Sequence, residues 1–180
     1  MVTPIDTIHR TGSVAVIRID EEFKLLSART VSRDERLLVI EGELTSTPTR
    51  YSVQVGPSSH VDLPADHRLE EILDKFYWRF MNHSCEPNAV IRGREIYSLR
   101  ALEPWEEVTF NYNTTEYDIA EPFDCCCGNP CCSGRICGFR YLPGAEQERL
   151  RPHLAHHLLS VLDDDGAGMG RSHDGKYARS

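Results

Sequence analysis

The chain has 180 residues, 40% of them hydrophobic and 27% charged, a composition that suits a single globular domain with one core. No apolar run approaches the ~20 residues that span a bilayer, and no secretory signal opens the chain, so we expect an intracellular protein without a membrane partner. The net charge of -8 argues against direct nucleic-acid binding and is compatible with a basic partner, although an acidic surface also simply keeps a protein soluble.

Most of the predicted elements are short strands. Alternating or β-branched segments, separated by turn residues, predict strands over residues 14–19, 37–40, 51–55, 60–63, 89–91, 95–99 and 107–110. The strands on either side of Arg92-Gly93-Arg94 are predicted to pair as a hairpin. A short helix, capped by Asp66, is predicted to run to about Tyr77. Together these elements indicate a mostly-β domain.

The C-terminal part of the chain predicts one helix and a tail. Leucines at helical spacing indicate a helix over residues 145–162, and Pro152 is expected to start its stable part or to kink it. His153 and His157 stand four residues apart and could hold a metal, but no third ligand accompanies them, so a solvated helix face is favoured. The Gly, Ser and Asp content of residues 163–180 predicts a disordered tail.

Six of the seven cysteines crowd into residues 125–137, and Cys85 is the remote one. In an intracellular chain, clustered cysteines favour a metal over disulfides. Cys125, Cys127 and Cys132 form a C-x-C-x4-C pattern, which supplies three of the four thiolates of a tetrahedral zinc site. The sequence therefore predicts that Cys85 meets them as the fourth zinc ligand.

The three other cysteines are Cys126, Cys131 and Cys137, and the first two allow a different set of zinc ligands. Cys126 and Cys131 offer a second register for the ligand pattern, and the spacing alone leaves their participation open. We prefer the first register because Gly128 then follows its second cysteine and can adopt a tight turn with positive φ. Cys137 is predicted to be a small buried residue.

Three motifs resemble the SET-domain lysine methyltransferases that carry a post-SET zinc segment. They are R-F-M-N-H-S-C-E-P-N at residues 79–88, E-E-V-T-F-N-Y at 106–112 and C-C-C-G-N-P-C-C-S-G at 125–134, in that family's order and near its spacing. The resemblance covers roughly residues 12 to 142. It implies a β-clip fold of short strands and small sheets with a knot-like core, plus the two helices. The expected boundaries are a SET domain over 12–115 and a post-SET zinc segment over 121–142.

The resemblance also assigns roles to residues. In such enzymes S-adenosylmethionine binds on one side of the core, and the substrate lysine enters a narrow channel from the other. Tyr112 matches the catalytic tyrosine, and Phe110 matches the Phe/Tyr switch, where Phe leaves room for more than one methyl group. The residues that match cofactor contacts are Arg79, Phe80, Asn82, His83, Tyr51 and Phe139, with Tyr141 as an alternative to Phe139.

Two positions depart from the family pattern. The family's G-x-G near the start corresponds to the glycine-free stretch 23–28 (F-K-L-L-S-A), and Ile40 stands where a pocket tyrosine is often found. The segment 63–77 is also short for the family's variable insert, which usually helps to choose the substrate. These departures suggest either lower activity or a different substrate.

The resemblance therefore implies a methyltransferase that uses S-adenosylmethionine and zinc and acts on a lysine of a basic protein or peptide. A lysine amine has an unperturbed pKa near ~10.4 and must lose its proton first, which a closed channel beside a cationic sulfonium would favour. One alternative is a SET-like, zinc-stabilised binding module that no longer transfers methyl groups. Another is a methyltransferase for a small amine.

Overall fold

A computed structural model describes residues 8–19, 21–63 and 66–167. Three small antiparallel sheets, each of three strands, and two two-stranded pairs make up its β structure. The strands are β1 (Ile8–Thr11), β2 (Val14–Ile19), β3 (Glu22–Ser27), β4 (Arg36–Val39), β5 (Glu43–Thr45), β6 (Val53–Gly56), β7 (Ser59–Asp62), β8 (Asn82–His83), β9 (Ala89–Arg92), β10 (Glu95–Ser98), β11 (Thr109–Phe110), β12 (Phe123–Asp124) and β13 (Arg135–Ile136). The sheets have the strand orders β1-β2-β3, β4-β10-β9 and β5-β7-β6.

The helices are short and lie mostly at the C-terminal end. They are α1 (Leu69–Lys75), α2 (Gly144–Leu150) and α3 (His156–Ala167), with 3₁₀ turns at Tyr77–Phe80, Tyr112–Thr114, Phe139–Tyr141 and Arg151–His153. No helix in the described ranges is long and apolar enough to cross a membrane. The mostly-β prediction with an internal and a C-terminal helical region is confirmed.

Two hydrophobic clusters form the interior. The main cluster joins the three sheets through residues such as Val14, Leu25, Ile91 and Ile96, which are fully buried. The second cluster packs the C-terminal helices around Phe139 and includes Leu150, Leu154, Leu158 and Leu162. Burial of these apolar side chains supplies most of the favourable free energy of folding.

A parallel pairing of two very short strands brings distant motifs together. β8 pairs with β11, so that Asn82 lies opposite Thr109 and His83 opposite Phe110. Asn88 reinforces this crossing from a buried position: its Oδ1 accepts from the Thr109 backbone N at 2.9 Å, and its Nδ2 donates to the Glu107 carbonyl at 2.7 Å. Because both partners are backbone groups of the β11 strand region, the Asn88 amide replaces hydrogen bonds that water would otherwise make.

The C-terminal helix is anchored to the segment that follows β11. The Ala155 backbone N donates to the Thr114 carbonyl at 2.8 Å, and His157 Nε2 lies 2.8 Å from the Thr115 carbonyl, to which it donates. The His157 side chain is buried there. The solvated helix face predicted for His153 and His157 is therefore wrong, because the 3₁₀ turn at Pro152 breaks the helix between them.

Other predicted boundaries need correction. Residues 145–162 form two helices rather than one, since Pro152 lacks the N–H that a continuous helix requires. α1 is capped at Arg68, not Asp66, and ends at Lys75. α3 continues to Ala167, five residues into the predicted tail, and residues 168–180 lie outside the described ranges. Strands β1, β3, β5, β8, β12 and β13 were not predicted.

We expect Asn88→Ala to lower the free energy of unfolding by roughly 2–4 kcal/mol, because two buried backbone groups lose their partners. Urea unfolding followed by tryptophan fluorescence measures the loss. The control is Glu70→Ala, on the exposed face of α1, which should change stability by less than ~0.5 kcal/mol. An Asn88 variant as stable as the control would contradict the role assigned to this amide.

Candidate active site

An open cavity of ≈ 920 Å³ lies beside the β8–β11 crossing. Its walls come from four parts of the chain: β3, β8 and β11 with the turns around them, the loop that precedes β6, and the linker from Ile119 to Cys127. The side chains used below that line it are Lys24, Arg50, Tyr51, Arg79, Asn82, His83, Glu107, Phe110, Tyr112, Glu116 and Phe123. Its volume lies within the range of small-molecule sites, roughly 300–1,000 Å³.

Tyr112 stands at the centre of an aromatic group. Its ring centroid lies 4.7 Å from that of Phe110, 5.2 Å from His83 and 5.8 Å from Phe123. The hydroxyl donates to the Met81 carbonyl at 3.0 Å. Burial, assisted by the negative charge of Glu116, raises the pKa of Tyr112 to about 12, so the phenol stays protonated at neutral pH.

His83 connects this aromatic group to Cys85. The Tyr112 backbone N donates to His83 Nδ1 at 3.1 Å, so the ring carries its proton on Nε2. Nε2 lies 3.3 Å from the Cys85 sulfur. Burial lowers the pKa of His83 to about 4, and the ring is therefore neutral at pH 7. In this state one nitrogen accepts from the backbone and the other donates to a sulfur.

The polar groups at one end of the cavity form a connected chain. Asn82 Nδ2 donates to Glu107 Oε1 at 2.9 Å, and Lys24 Nζ lies 3.3 Å from Glu107 Oε2. Lys24 belongs to β3, within the stretch where the family has G-x-G. At the rim, Arg79 pairs with Asp62 at 2.7 Å, and its guanidinium lies 4.6 Å from the ring centroid of the half-exposed Tyr51.

The sulfurs of Cys85, Cys125, Cys127 and Cys132 all lie within 4.8 Å of one another. Cys85 is 3.9 Å from both Cys125 and Cys132. A tetrahedral zinc site with Zn–S bonds of about 2.3 Å has sulfur–sulfur edges of about 3.8 Å, so this donor set fits zinc. No other group of three or more potential ligands occurs in the described part of the chain.

The remaining cysteines stand apart from this group. Cys126 and Cys131 are exposed, and Cys137 is buried, as predicted for a small core residue. Gly128 has φ +70°, which is the positive value expected after the second cysteine. The structure thus brings together the four cysteines of the preferred register.

Two of the predicted cofactor contacts lie elsewhere. Phe80 packs against Phe23 with centroids 5.4 Å apart, in the main core, and does not line the cavity. Phe139 is almost fully buried in the second hydrophobic cluster, because the C-terminal helices cover it. Its alternative, Tyr141, is exposed and also outside the cavity lining. The other predicted contacts, Arg79, Asn82, His83 and Tyr51, all line the cavity.

Glu116 is a cavity residue that the sequence analysis did not identify. Its Oε1 accepts from the Gln54 backbone N at 2.8 Å and from the Thr115 hydroxyl at 3.1 Å, while Oε2 lies 3.9 Å from His60 Nε2. Burial raises the pKa of Glu116 to about 7, against the opposing effect of these two hydrogen bonds. Glu107 belongs to the E-E-V-T-F-N-Y motif, but the motif assigned no role to it. No sequence pattern distinguishes Glu116 from a surface glutamate.

Comparison with known proteins identifies the family of this chain. The SET domain model matches residues 11–113, more than half of the chain, and the chain belongs to this family. A crystal structure of KRYPTONITE in complex with mCHG DNA and SAH has the same fold, with a TM-score of 0.51 and 20% identity over 67% of this chain and 28% of that one.

Relatives in sequence are named as methyltransferases. Methyltransferase flvH of Aspergillus flavus is 31% identical over 59% of this chain and 57% of its own length. An H3 lysine-36 specific histone-lysine N-methyltransferase of Coccidioides immitis is 34% identical over 49% of this chain, and histone-lysine N-methyltransferase ash1 of Drosophila melanogaster is 34% identical over 52%. The match covers 9% and 4% of these two longer proteins.

The buried carboxyl of Glu116 predicts a pH-dependent stability difference. Its pKa is 4.5 in the unfolded chain and about 7 in the fold. The folded state therefore binds more protons between these values, and stability falls as the pH rises through that window. Glu116→Gln has no carboxyl to ionise in the buried site. Its free energy of unfolding, relative to that of wild type, should therefore rise by roughly 3 kcal/mol between pH 4.5 and pH 8. Paired urea titrations at several pH values measure it, and a constant difference would contradict the buried carboxyl.

Proposed function

We propose that this chain is an S-adenosylmethionine-dependent N-methyltransferase that acts on a lysine ε-amine of a basic protein or peptide. The single observation that carries the proposal is the cavity where the Tyr112 phenol, the Asn82-His83 segment and the cysteine-bearing linker meet. Membership of the SET family and relatives named as methyltransferases support the same activity.

The cavity suits the proposed cofactor in size and in polar groups. Four residues at its walls would hold S-adenosylmethionine: Asn82 and His83 on β8, and Arg79 and Tyr51 at the rim. When bound, this cofactor supplies a methyl group on a cationic sulfur to an attacking amine. The carboxylate of Glu107, fixed by Asn82 and Lys24, adds a negative charge near that end of the cavity.

Tyr112 orients the substrate amine in this proposal. Its hydroxyl proton is already committed to the Met81 carbonyl, so the oxygen lone pairs remain free to accept an N–H from the amine. Because the phenol stays protonated, it positions the amine rather than removing its proton. Placing amine and methyl group in line supplies most of the rate. Phe110, beside Tyr112 and without a hydroxyl, leaves room for more than one methyl group.

The substrate class is proposed from charge and from the relatives. The chain has a net charge of -8, and Glu22, Glu121 and Asp124 are exposed residues of the cavity lining. Such a rim attracts a basic segment. Several relatives are named for histone H3 lysine 36, which makes a histone a suitable first substrate to test and the nucleus a suitable compartment.

A binding module without transferase activity is the second candidate. The observation that favours it is Lys24, whose charged side chain lines the cavity at the stretch where the family has glycines. Titration calorimetry with S-adenosylmethionine separates the two candidates, since only an enzyme requires cofactor binding.

We also propose that Cys85, Cys125, Cys127 and Cys132 bind one zinc ion. All four positions carry protein ligands, which is typical of a structural zinc site. The ion would fix the linker against β8 and so keep one wall of the cavity in position. Residues 125–137 contribute few core side chains of their own, and metal binding would supply their folding free energy.

We expect Tyr112→Phe to reduce methyl transfer about 100-fold or more, because the amine loses its hydrogen-bond acceptor. S-Adenosylmethionine binding should stay near normal, since the aromatic ring remains. Labelled-methyl transfer to core histones measures turnover, and calorimetry measures binding. The matched control is Tyr117→Phe, at a tyrosine outside the cavity lining. Unchanged turnover in the Tyr112 variant would refute its role.

Metal analysis should find one zinc per chain. Cys85→Ser should lose the ion and disorder the linker, measured by elemental analysis and by limited proteolysis. Cys126→Ser and Cys131→Ser are matched controls, because both thiols are exposed and outside the ligand group. Equal zinc content in all three variants would overturn the proposed ligand set.

A further inference from the structure

The Glu116 side chain lines the cavity and has no role in the mechanism proposed for methyl transfer. Glu116 lies on the wall formed after the Tyr112 turn, and its own backbone N donates to the Tyr112 carbonyl at 2.9 Å. This bond ties the glutamate to the residue that holds the amine. Its side chain is 11% exposed, and Oε2 has no hydrogen bond among the described residues. A partly accessible, unpaired carboxylate oxygen in a cavity wall is suited to meeting a ligand.

Among the described residues, no lysine or arginine forms an ion pair with the Glu116 carboxyl. The titratable groups around it are His60 on β7, His157 on α3 and Tyr112, and Arg50 lines the same cavity. His60 Nε2 is too distant, at 3.9 Å, for a hydrogen bond. A charged His60 would also carry a proton on Nδ1, which is buried without a partner. Leaving an Nδ1 lone pair without a partner costs less free energy than leaving a charged N–H donor without one, so His60 is neutral.

The neighbouring His157 and Tyr112 are neutral as well, whereas Arg50, which lines the same cavity, is a cation. Burial lowers the pKa values of both His60 and His157, and Tyr112 keeps its proton. Oε1 is fixed by two donors, whereas Oε2 is free. The carboxyl therefore has one oxygen anchored to the fold and the other available for a proton or for a cation that enters the cavity.

We propose that Glu116 is the proton acceptor for the substrate ammonium group, an inference that rests on the proposed function. An ammonium R–NH3⁺ gives one proton to the Glu116 carboxylate, leaving R–NH2 and a neutral carboxylic acid. The amine lone pair then forms the N–C bond to the methyl group while the C–S bond breaks and its electron pair stays on sulfur. The carboxylic acid finally returns its proton to water through the open cavity.

The proton affinities of the two groups suit this transfer. A pKa of about 7 leaves Glu116 divided between its two forms near neutral pH, where a general base is most effective. A free lysine, with a pKa near ~10.4, would hold its proton too tightly, but desolvation and an adjacent sulfonium charge both lower that value. An ordinary surface glutamate is a weaker base and would accept the proton less readily.

The kinetic test compares pH profiles. Wild type, Glu116→Gln and the control Glu70→Gln are assayed from pH 6 to pH 10 with labelled S-adenosylmethionine and core histones. At pH 7 we expect Glu116→Gln to lose about 100-fold in kcat/KM. The deficit should shrink roughly tenfold per pH unit, as hydroxide replaces the carboxylate below the lysine pKa of ~10.4. Glu116→Asp should keep a rate limb controlled by a carboxyl. A Glu116→Gln profile parallel to wild type overturns the proposal.

A binding test does not depend on the protein substrate. In protein with carbon-13-labelled glutamate carboxyls, the Glu116 signal is the one absent from Glu116→Gln. Its midpoint should lie near neutrality and fall when n-butylammonium is added with S-adenosylhomocysteine. A midpoint that n-butylammonium leaves unchanged overturns the proton-acceptor role. If instead the midpoint shifts but wild type methylates neither histones nor free amines, the proposed function fails while the amine site stands.

Discussion

The convergence of four sulfurs from two distant segments is the constraint on which the cavity depends. Cys85 lies just after β8, whereas Cys125 and Cys127 lie at the end of the linker that forms another wall, and Cys132 follows that linker. That linker has little core of its own, so its position relative to β8 is set by the cysteines and by the two-residue pairing of β12 with β13. A metal ion at the four thiolates would convert this proximity into a fixed geometry.

Electrostatic neutrality is the second property of the site. His83 is held neutral by burial, and its Nδ1 accepts from the Tyr112 backbone N; Tyr112 is held neutral mainly by burial. Glu107 carries a negative charge at this site, and its partners Asn82 and Lys24 already engage it. Where the neighbouring rings are neutral, an unpaired carboxyl has a large effect on a cation that enters.

The short strands and the grouping of the cysteines could be predicted from the sequence, but the long-range packing of the helices could not. The grouping of Cys85 with Cys125, Cys127 and Cys132 followed from spacing and from one remote cysteine, and the β-rich pattern followed from alternation. Strand β3 is hard to predict because Leu25 and Leu26 are adjacent and interrupt the alternation of apolar and polar residues that indicates a strand. Phe139 was expected at the cofactor because its place after the cysteines matched the family. The helices that bury it pack over long range, which short-range patterns do not encode.

Glu116 shows a different limit of inference from sequence. Its proton affinity results from desolvation, and desolvation depends on β6, β7 and α3 closing around one side chain. His157 likewise looked like a surface residue because the break at Pro152 changes which face of the following helix is buried. Each of these properties needs the tertiary arrangement of segments that are far apart in the chain.

The bonds from Ala155 and His157 to the carbonyls of Thr114 and Thr115 extend the functional unit beyond the residues that define the family. α3 therefore supports the 3₁₀ turn that begins at Tyr112 from behind. A fragment that stopped at Cys137 would contain every motif, yet it would lack Phe139 and leave the carbonyls of Thr114 and Thr115 open to water. Accordingly, the tertiary contacts that support this turn extend into α3, well downstream of the matched domain.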